Sequence, residues 1–337
     1  MKRIFIRCDG GNIGEFGTGH VSRMLVLAYY LKKKIKDLKI IFLTRKEKKF
    51  KLGYEIIKNK KFKIYNCKDS DLIPNSNNEM KIFKYLESDL IIIDRLSLSK
   101  KISKFLSNLK KKYIVFDSKK NKFIKNNQIF NLDNLNKKKV SSKNFQHFIP
   151  NPKLRFKNFK NKYNLFICFG GVDKKKYSIK IVKNFNLFKN FKKIYLITRE
   201  KQIYKSLIKI IQKERKNNLF NIYCNPVNFY EILNKCKYSL TSGGLTFIDS
   251  VISGSNTLAV PQYSHQIRNI NFFNSIKLMP YKISQMEKFD SKKITKIITL
   301  LRNDKNFKNQ KSFAKNYFKL NRNLKIILTI KKLINDN

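Results

Sequence analysis

Short runs of β-branched and aromatic residues alternate with longer amphipathic stretches, and the alternation occurs twice along the chain. "RIFIRC", "KIIFLT", "FKIY", "DLIIID" and "YIVF" read as strands; after about residue 160 the pattern restarts with "YNLFICF", "KIYLIT", "NIYC", "YSLTS" and "TLAVP". Two successive β/α series predict two doubly wound α/β domains. Pro150 and Pro152 interrupt any periodicity in "FIPNPKLRFKNF", residues 148–159, which places the expected joint there and the expected domains at 1–150 and 151–320. Residues 286–335 read as helical throughout and are expected to lie across both domains, ending in a C-terminal helix at 321–337. No internal repeat is visible beyond the doubled architecture.

The first strand feeds a loop holding Gly10, Gly11, Gly14, Gly17 and Gly19, and a helix follows with Val21, Met24, Leu25 and Ala28 on one face. A ligand is expected at the carboxyl end of that strand, where a helix N-terminus offers unpaired N–H groups and a partial positive charge. Gly17 and Gly19 allow close backbone approach. The spacing is neither GxGxxG nor a GK[ST] loop, so a dinucleotide fingerprint and a P-loop are both excluded. His20 stands where the loop enters the helix. It could cap backbone groups or act as a general base, and a glycine-built phosphate cradle with room for substrate favours the base.

The second series repeats the theme. Gly170 and Gly171 end the strand of "LFICFGGVD". Ser242, Gly243, Gly244 and Leu245 stand at a second helix start, able to bind a diphosphate through backbone donors. Asp249, one turn inside, could accept hydrogen bonds from a ribose or be a solvated or dipole-favoured acid.

Composition refines the picture. The 337 residues exceed what one core usually serves, and 42% apolar residues with 28 Phe and 16 Tyr suffice for two. Lys and Arg number 75 against 22 Asp and Glu, a net charge of +53. Lysines are spread almost everywhere outside the strands, without one basic helix or a glycine-aromatic RNA motif. A solvated Lys/Asn-rich surface fits better than a specific nucleic-acid face, although such a field would draw anionic substrates and allow peripheral contact with anionic membranes. Five cysteines lack CxxC or Cys/His ligand spacing, which points to buried free thiols of a reducing, cytoplasmic compartment. The opening apolar stretch is broken by Arg7 and Asp9, so it reads as a strand, and nowhere do 18 apolar residues run together.

Together, "RCD…GTGHVSR", "DLIIID", "FGGVDKKKYSIKIV", "NFYEILNKCKYSLTSGG" and "SGGLTFIDSVISGSNTLAVPQYSHQ" resemble UDP-sugar enzymes of the glycosyltransferase-B fold. The likeness is to the glycosyltransferase that makes lipid II and, more closely, to the UDP-2,4-diacetamido-2,4,6-trideoxy-β-L-altropyranose hydrolase family of pseudaminic acid biosynthesis and its spore-coat polysaccharide relatives. It spans most of residues 3–275. The resemblance implies two Rossmann-like domains with the active site in the cleft between them, a sugar-side N-terminal domain and a UDP-binding C-terminal one. It implies that His20 is the base for the attacking water, that Asp249 binds the ribose of UDP, and that Gln266 approaches the sugar diphosphate. Asp9, Arg23, Asp94 and His265 fall among the expected substrate contacts.

Departures from that pattern bear on the sugar. Leu96 stands where the hydrolase tends to have an aromatic residue, His265 where Asn usually precedes the Gln, and Asp249 where the acid is usually Glu. The expected reaction is hydrolysis of a UDP-linked amino or deoxy sugar, without cofactor or metal. The alternatives are a UDP-sugar-dependent glycosyltransferase, with His20 activating an acceptor hydroxyl, and a non-catalytic binder of nucleic acid or anionic surfaces.

Overall fold

A computed structural model describes residues 1–11, 17–117, 122–124, 127–130, 149–157, 159, 163–214, 218–280, 289–320 and 325–335. Two compact units divide the chain, the first built on the sheet of residues before 131 together with the C-terminal helix, the second on Pro150–Arg322.

In the first unit the elements run β1 (Lys2–Cys8), α1 (Gly19–Lys34), β2 (Leu38–Leu43), α2 (Lys51–Asn59), β3 (Lys63–Ile64), α3 (Asn77–Tyr85), β4 (Leu90–Asp94), α4 (Lys100–Asn108), β5 (Tyr113–Asp117) and β6 (Gln128–Phe130). The six strands are all parallel, in the order β3-β2-β1-β4-β5-β6. Every residue of β4 is buried, as expected of a central parallel strand covered on both faces. One face packs Ile4, Ile6, Phe42 and Ile92 against Val21, Met24, Leu27, Ala28 and Leu31 of α1. The other packs Phe5, Ile91 and Ile93 against Phe83 of α3 and Ile102 and Leu106 of α4.

The second unit contains β7 (Asn164–Cys168), α5 (Tyr177–Lys183), β8 (Lys193–Thr198), α6 (Lys201–Lys213), β9 (Phe220–Cys224), α7 (Phe229–Leu233), β10 (Tyr238–Thr241), α8 (Leu245–Ile252), β11 (Asn256–Ala259), α9 (Ser264–Ser275), α10 (Ser291–Arg302) and α11 (Lys308–Leu320). Its parallel sheet has the order β11-β10-β7-β8-β9. Each sheet thus reverses direction once, between β1 and β4 in the first and between β7 and β10 in the second. A doubly wound sheet opens a ligand crevice at the carboxyl ends of the strands on either side of that reversal.

The described part of the C-terminal region is helical except at Phe289, Asp290 and Asn303, which lie outside the helices, and its members divide. Ile326, Ile327, Ile330 and Ile334 of α12 (Lys325–Asn335) join the core of the first unit, while α11 packs on α8 in the second. Gln310 of α11 finishes the sheet edge: its amide pairs with both the N–H and the carbonyl of Thr257 on β11 at 2.9 and 2.7 Å. The strand β6 has no counterpart in the sequence reading, because three residues are too few to show an alternating pattern.

Candidate functional site

His20 and Asp94 meet at the reversal point of the first sheet. Asp94 is the last residue of β4, and Cys8, in register beside it, is the last of β1. His20 is the second residue of α1, after Thr18 at the N-cap position, so its ring is not the helix cap. Instead His20 Nδ1 lies 2.8 Å from Asp94 Oδ1. Arg23, one turn further along α1, grips the same carboxylate with both arms, Nε to Oδ2 at 2.9 Å and a terminal nitrogen to Oδ1 at 2.6 Å. That nitrogen is also 3.3 Å from His20 Nδ1. A single imidazole nitrogen cannot donate and accept at once, and the shorter contact to an ionised oxygen decides the role. In the neutral imidazole, Nδ1–H donates to Asp94 and the lone pair lies on Nε2. Burial alone would raise the Asp94 carboxyl, but Arg23 and then His20 hold it below the usual carboxylate range.

Asp9 and Asp94, both expected among the substrate contacts, are engaged by side chains of the protein itself. The Asp94 side chain is fully buried and committed to His20 and Arg23. Asp9 is held by Arg7 at 2.7 Å and by Arg45 at 3.0 Å, and these guanidiniums overcome burial to bring its carboxyl down to about 2. Arg23, expected on the substrate, is bound to Asp94.

Behind them lies a buried network that the sequence reading did not anticipate. Glu79, in the first turn of α3, accepts from Arg7 Nε at 2.8 Å and from both terminal nitrogens of Arg95 at 2.6 and 3.0 Å. Arg7 also donates to the carbonyl of Leu72. The ends of β1 and β4 are therefore tied to α3 by ion pairs. The only signal in the sequence was two arginines, Arg7 and Arg95, flanking otherwise apolar strands.

The glycines of the first loop do different work. A Cβ on Gly10 would press on Val21 at 2.8 Å, and one on Gly11 would run into the carbonyl oxygen of Lys49. The Gly10 carbonyl accepts from Gly53 N at 3.0 Å, so this part of the loop is packed against the start of α2. A Cβ at Gly17 would meet no atom of the described residues within 4 Å, and Gly19 is the first residue of α1. Residues 12–16 of this loop, including Gly14, lie outside the described residues.

At the reversal point of the second sheet, Gly170 (φ +90°) follows β7 and Ser242, Gly243 (φ +77°) and Gly244 follow β10. A Cβ on Gly170 would stand 3.4 Å from Ser242 Oγ, which brings these two loops together; Gly171 follows next in the first of them. Gly244 is the N-cap of α8, Leu245 its first residue, and a Cβ on Gly244 would enter open space. Asp249 is not a solvated acid: it is 7% exposed, and Tyr230 of α7 donates to it at 3.2 Å. Burial pushes its carboxyl up to about 7, with the Tyr230 hydrogen bond opposing.

Gln266 is turned inward, its Oε1 accepting from Gln262 N at 2.7 Å. Gln262, unremarked in the sequence, ties three loop segments together: it donates to the carbonyls of Phe169 and Val172 and accepts from Lys175 N. His265 lies in the first turn of α9, and its side chain falls outside the described residues. Among the described residues no group of three or more His, Cys, Asp or Glu could hold a metal ion, all five cysteines are free, and no helix is long and apolar enough to cross a membrane.

No family model matches the chain. It is 27% identical over 274 residues to an uncharacterized protein of Methanocaldococcus jannaschii, covering 75% of this chain and 54% of that protein, so the chain spans about half the length of that curated relative. Among solved structures it resembles MurG of Acinetobacter baumannii (TM-score 0.63, 12% identity, all of both chains) and the glycotransferase of kitacinnamycin (TM-score 0.64, 10% identity, 99% of each). It also resembles the UDP-GlcNAc 2-epimerase of Neisseria meningitidis bound to UDP-GlcNAc (TM-score 0.55, 11% identity, all of both chains). At such identities the likeness concerns the fold: the chain has the two-unit α/β architecture of glycosyltransferase-B enzymes.

Proposed function

We propose that the protein hydrolyses a UDP-linked amino or deoxy sugar at its anomeric carbon, releasing UDP and the free sugar for surface-glycan synthesis of the nonulosonic acid type. The observation that carries this reading is the His20–Asp94 pair at 2.8 Å, at the carboxyl end of the first sheet. An imidazole whose Nδ1–H is committed to a carboxylate presents Nε2 as a proton acceptor. In the proposed step Nε2 takes a proton from water as its oxygen bonds to the anomeric carbon. The bond from that carbon to the UDP oxygen breaks, and UDP leaves with the bonding pair. The reading assigns the diphosphate to the N–H groups of Ser242–Leu245 at the start of α8, which favour developing negative charge, and the ribose to Asp249.

The deciding experiment has two stages. UDP is expected to raise the melting temperature more than AMP or inorganic phosphate does, by roughly 2.7 kcal/mol of stabilisation at a hundredfold excess over Kd. Equal shifts for all three would remove the nucleotide assignment. A panel of UDP-sugars is then scored for UDP release with and without sugar acceptors. Release without acceptor is expected; release only with acceptor makes the protein a glycosyltransferase in which His20 deprotonates a hydroxyl.

A further inference from the structure

Arg23 is one helical turn from His20 and shares its face of α1, yet it does not reach outward as a substrate-binding arginine would. Its Nε and one terminal nitrogen form a two-point clamp on Asp94, on Oδ2 at 2.9 Å and Oδ1 at 2.6 Å. Its guanidinium carbon sits 5.7 Å from the centre of the Phe116 ring, and Phe116 is the register partner of Asp94 on the neighbouring strand β5. The clamp is therefore fixed on two sides, by the carboxylate and by the aromatic face. A carboxylate bound by a planar fork cannot rotate about its own axis without breaking both bonds. Oδ1 is thereby held 2.8 Å from His20 Nδ1.

We infer that Arg23 is a positioning residue that fixes the His20 tautomer: by locking Asp94 it keeps the imidazole proton on Nδ1 and the acceptor lone pair on Nε2. The inference rests on the reading of His20 as the base, and it assigns Arg23 a role other than substrate contact. Lysine cannot replace it fully, since a point charge can hold one carboxylate oxygen but cannot fix the plane.

The test reads the imidazole directly. The chain has only three histidines, His20, His147 and His265, so ¹⁵N-histidine labelling gives a spectrum simple enough to assign with the His20→Asn variant. At mildly alkaline pH, long-range ¹H–¹⁵N correlations report which nitrogen carries the proton. The wild-type protein is expected to show His20 protonated on Nδ1. Asp94→Asn, as control, and Arg23→Gln are each expected to shift population to the Nε2–H form, with Arg23→Lys intermediate. On the UDP-sugar that the wild type turns over fastest, Arg23→Gln is expected to lower kcat by about 10- to 100-fold with KM nearly unchanged, and to leave the thermal shift by UDP intact.

An unchanged His20 tautomer in Arg23→Gln overturns the inference, as does a loss confined to KM, which would put Arg23 on the substrate. Arg23→Lys keeps the question open to measurement if the Gln variant fails to fold. The tautomer measurement needs no substrate. Failure of every UDP-sugar to react would therefore count against the proposed reaction while leaving the role of Arg23 to be decided by the spectrum.

Discussion

Arg7 on β1 and Glu79 on α3 are joined at 2.8 Å, with side chains 2% and 0% exposed. Glu79 also holds Arg95, and Arg7 also holds Asp9, so one buried chain of charges ties the end of β1 to the end of β4. Such a network adds little over a well-packed apolar core, but removing one member strands the others in a low dielectric. Glu79→Gln is expected to destabilise the fold by about 3–5 kcal/mol. Urea unfolding followed by circular dichroism measures it; a loss under about 1 kcal/mol would mean that solvent reaches Arg7 and Arg95.

Asp9, Glu79 and Asp94 in the first unit and Asp249 in the second give opposite pH dependences. Arg7 and Arg45 hold Asp9 at about 2, and Glu79 and Asp94 are likewise lowered by their guanidinium partners, each against its own burial. The stability they contribute is complete above the ordinary carboxylate range and is lost as pH falls through it toward their folded values. Asp249 does the reverse, because burial raises it to about 7. The folded state keeps a proton that the unfolded state has released, so stability falls as pH rises from about 4 to about 7. Asp249→Asn is expected to raise the melting temperature relative to wild type at pH 8 and to do so much less at pH 5. Differential scanning calorimetry at the two values decides it, and a pH-independent difference would show that Asp249 ionises normally.

Loss of His20 should separate catalysis from folding. Because Thr18 occupies the N-cap position and Asp94 keeps Arg23, His20→Ala and His20→Asn are each expected to cost only about 1 kcal/mol of stability. Turnover is expected to drop by roughly 10²–10⁴ in both. An Asn variant near full activity in a UDP-release assay would remove His20 from the chemistry.

Gly53 tests the packing of the first loop. Inside a helix, Gly→Ala ordinarily stabilises by about 1 kcal/mol. Here a Cβ would collide with the Gly10 carbonyl, backbone that cannot move aside without dislodging the loop. Gly53→Ala is therefore expected to destabilise by about 1–3 kcal/mol, whereas Gly17→Ala, opening into free space, should stay within about 0.5 kcal/mol. Chemical denaturation of the pair checks the sign.

What the sequence determined by itself was whatever repeats over a few residues. Runs such as "DLIIID" and "KIYLIT" specify strands because side-chain alternation and burial are local properties, and the doubled series foretold two doubly wound sheets. Glycines beside a helix start marked the loops at both reversal points, and His20 was legible because it is the lone histidine in such a loop. What the tertiary structure decided was which side chains meet. His20 and Asp94 are 74 residues apart, Arg7 and Glu79 72, and Tyr230 and Asp249 19. For the two pairs of the first unit this follows from strand order, which puts β1 beside β4, and from the helices α1 and α3 packed on opposite faces of that sheet. Asp9, Asp94 and Arg23 show the same division: a charged residue at a strand end or in the first turns of a helix shows its chemistry in the sequence, but its partner is chosen only when non-local strands come together and an unpaired buried charge would cost more than the pair.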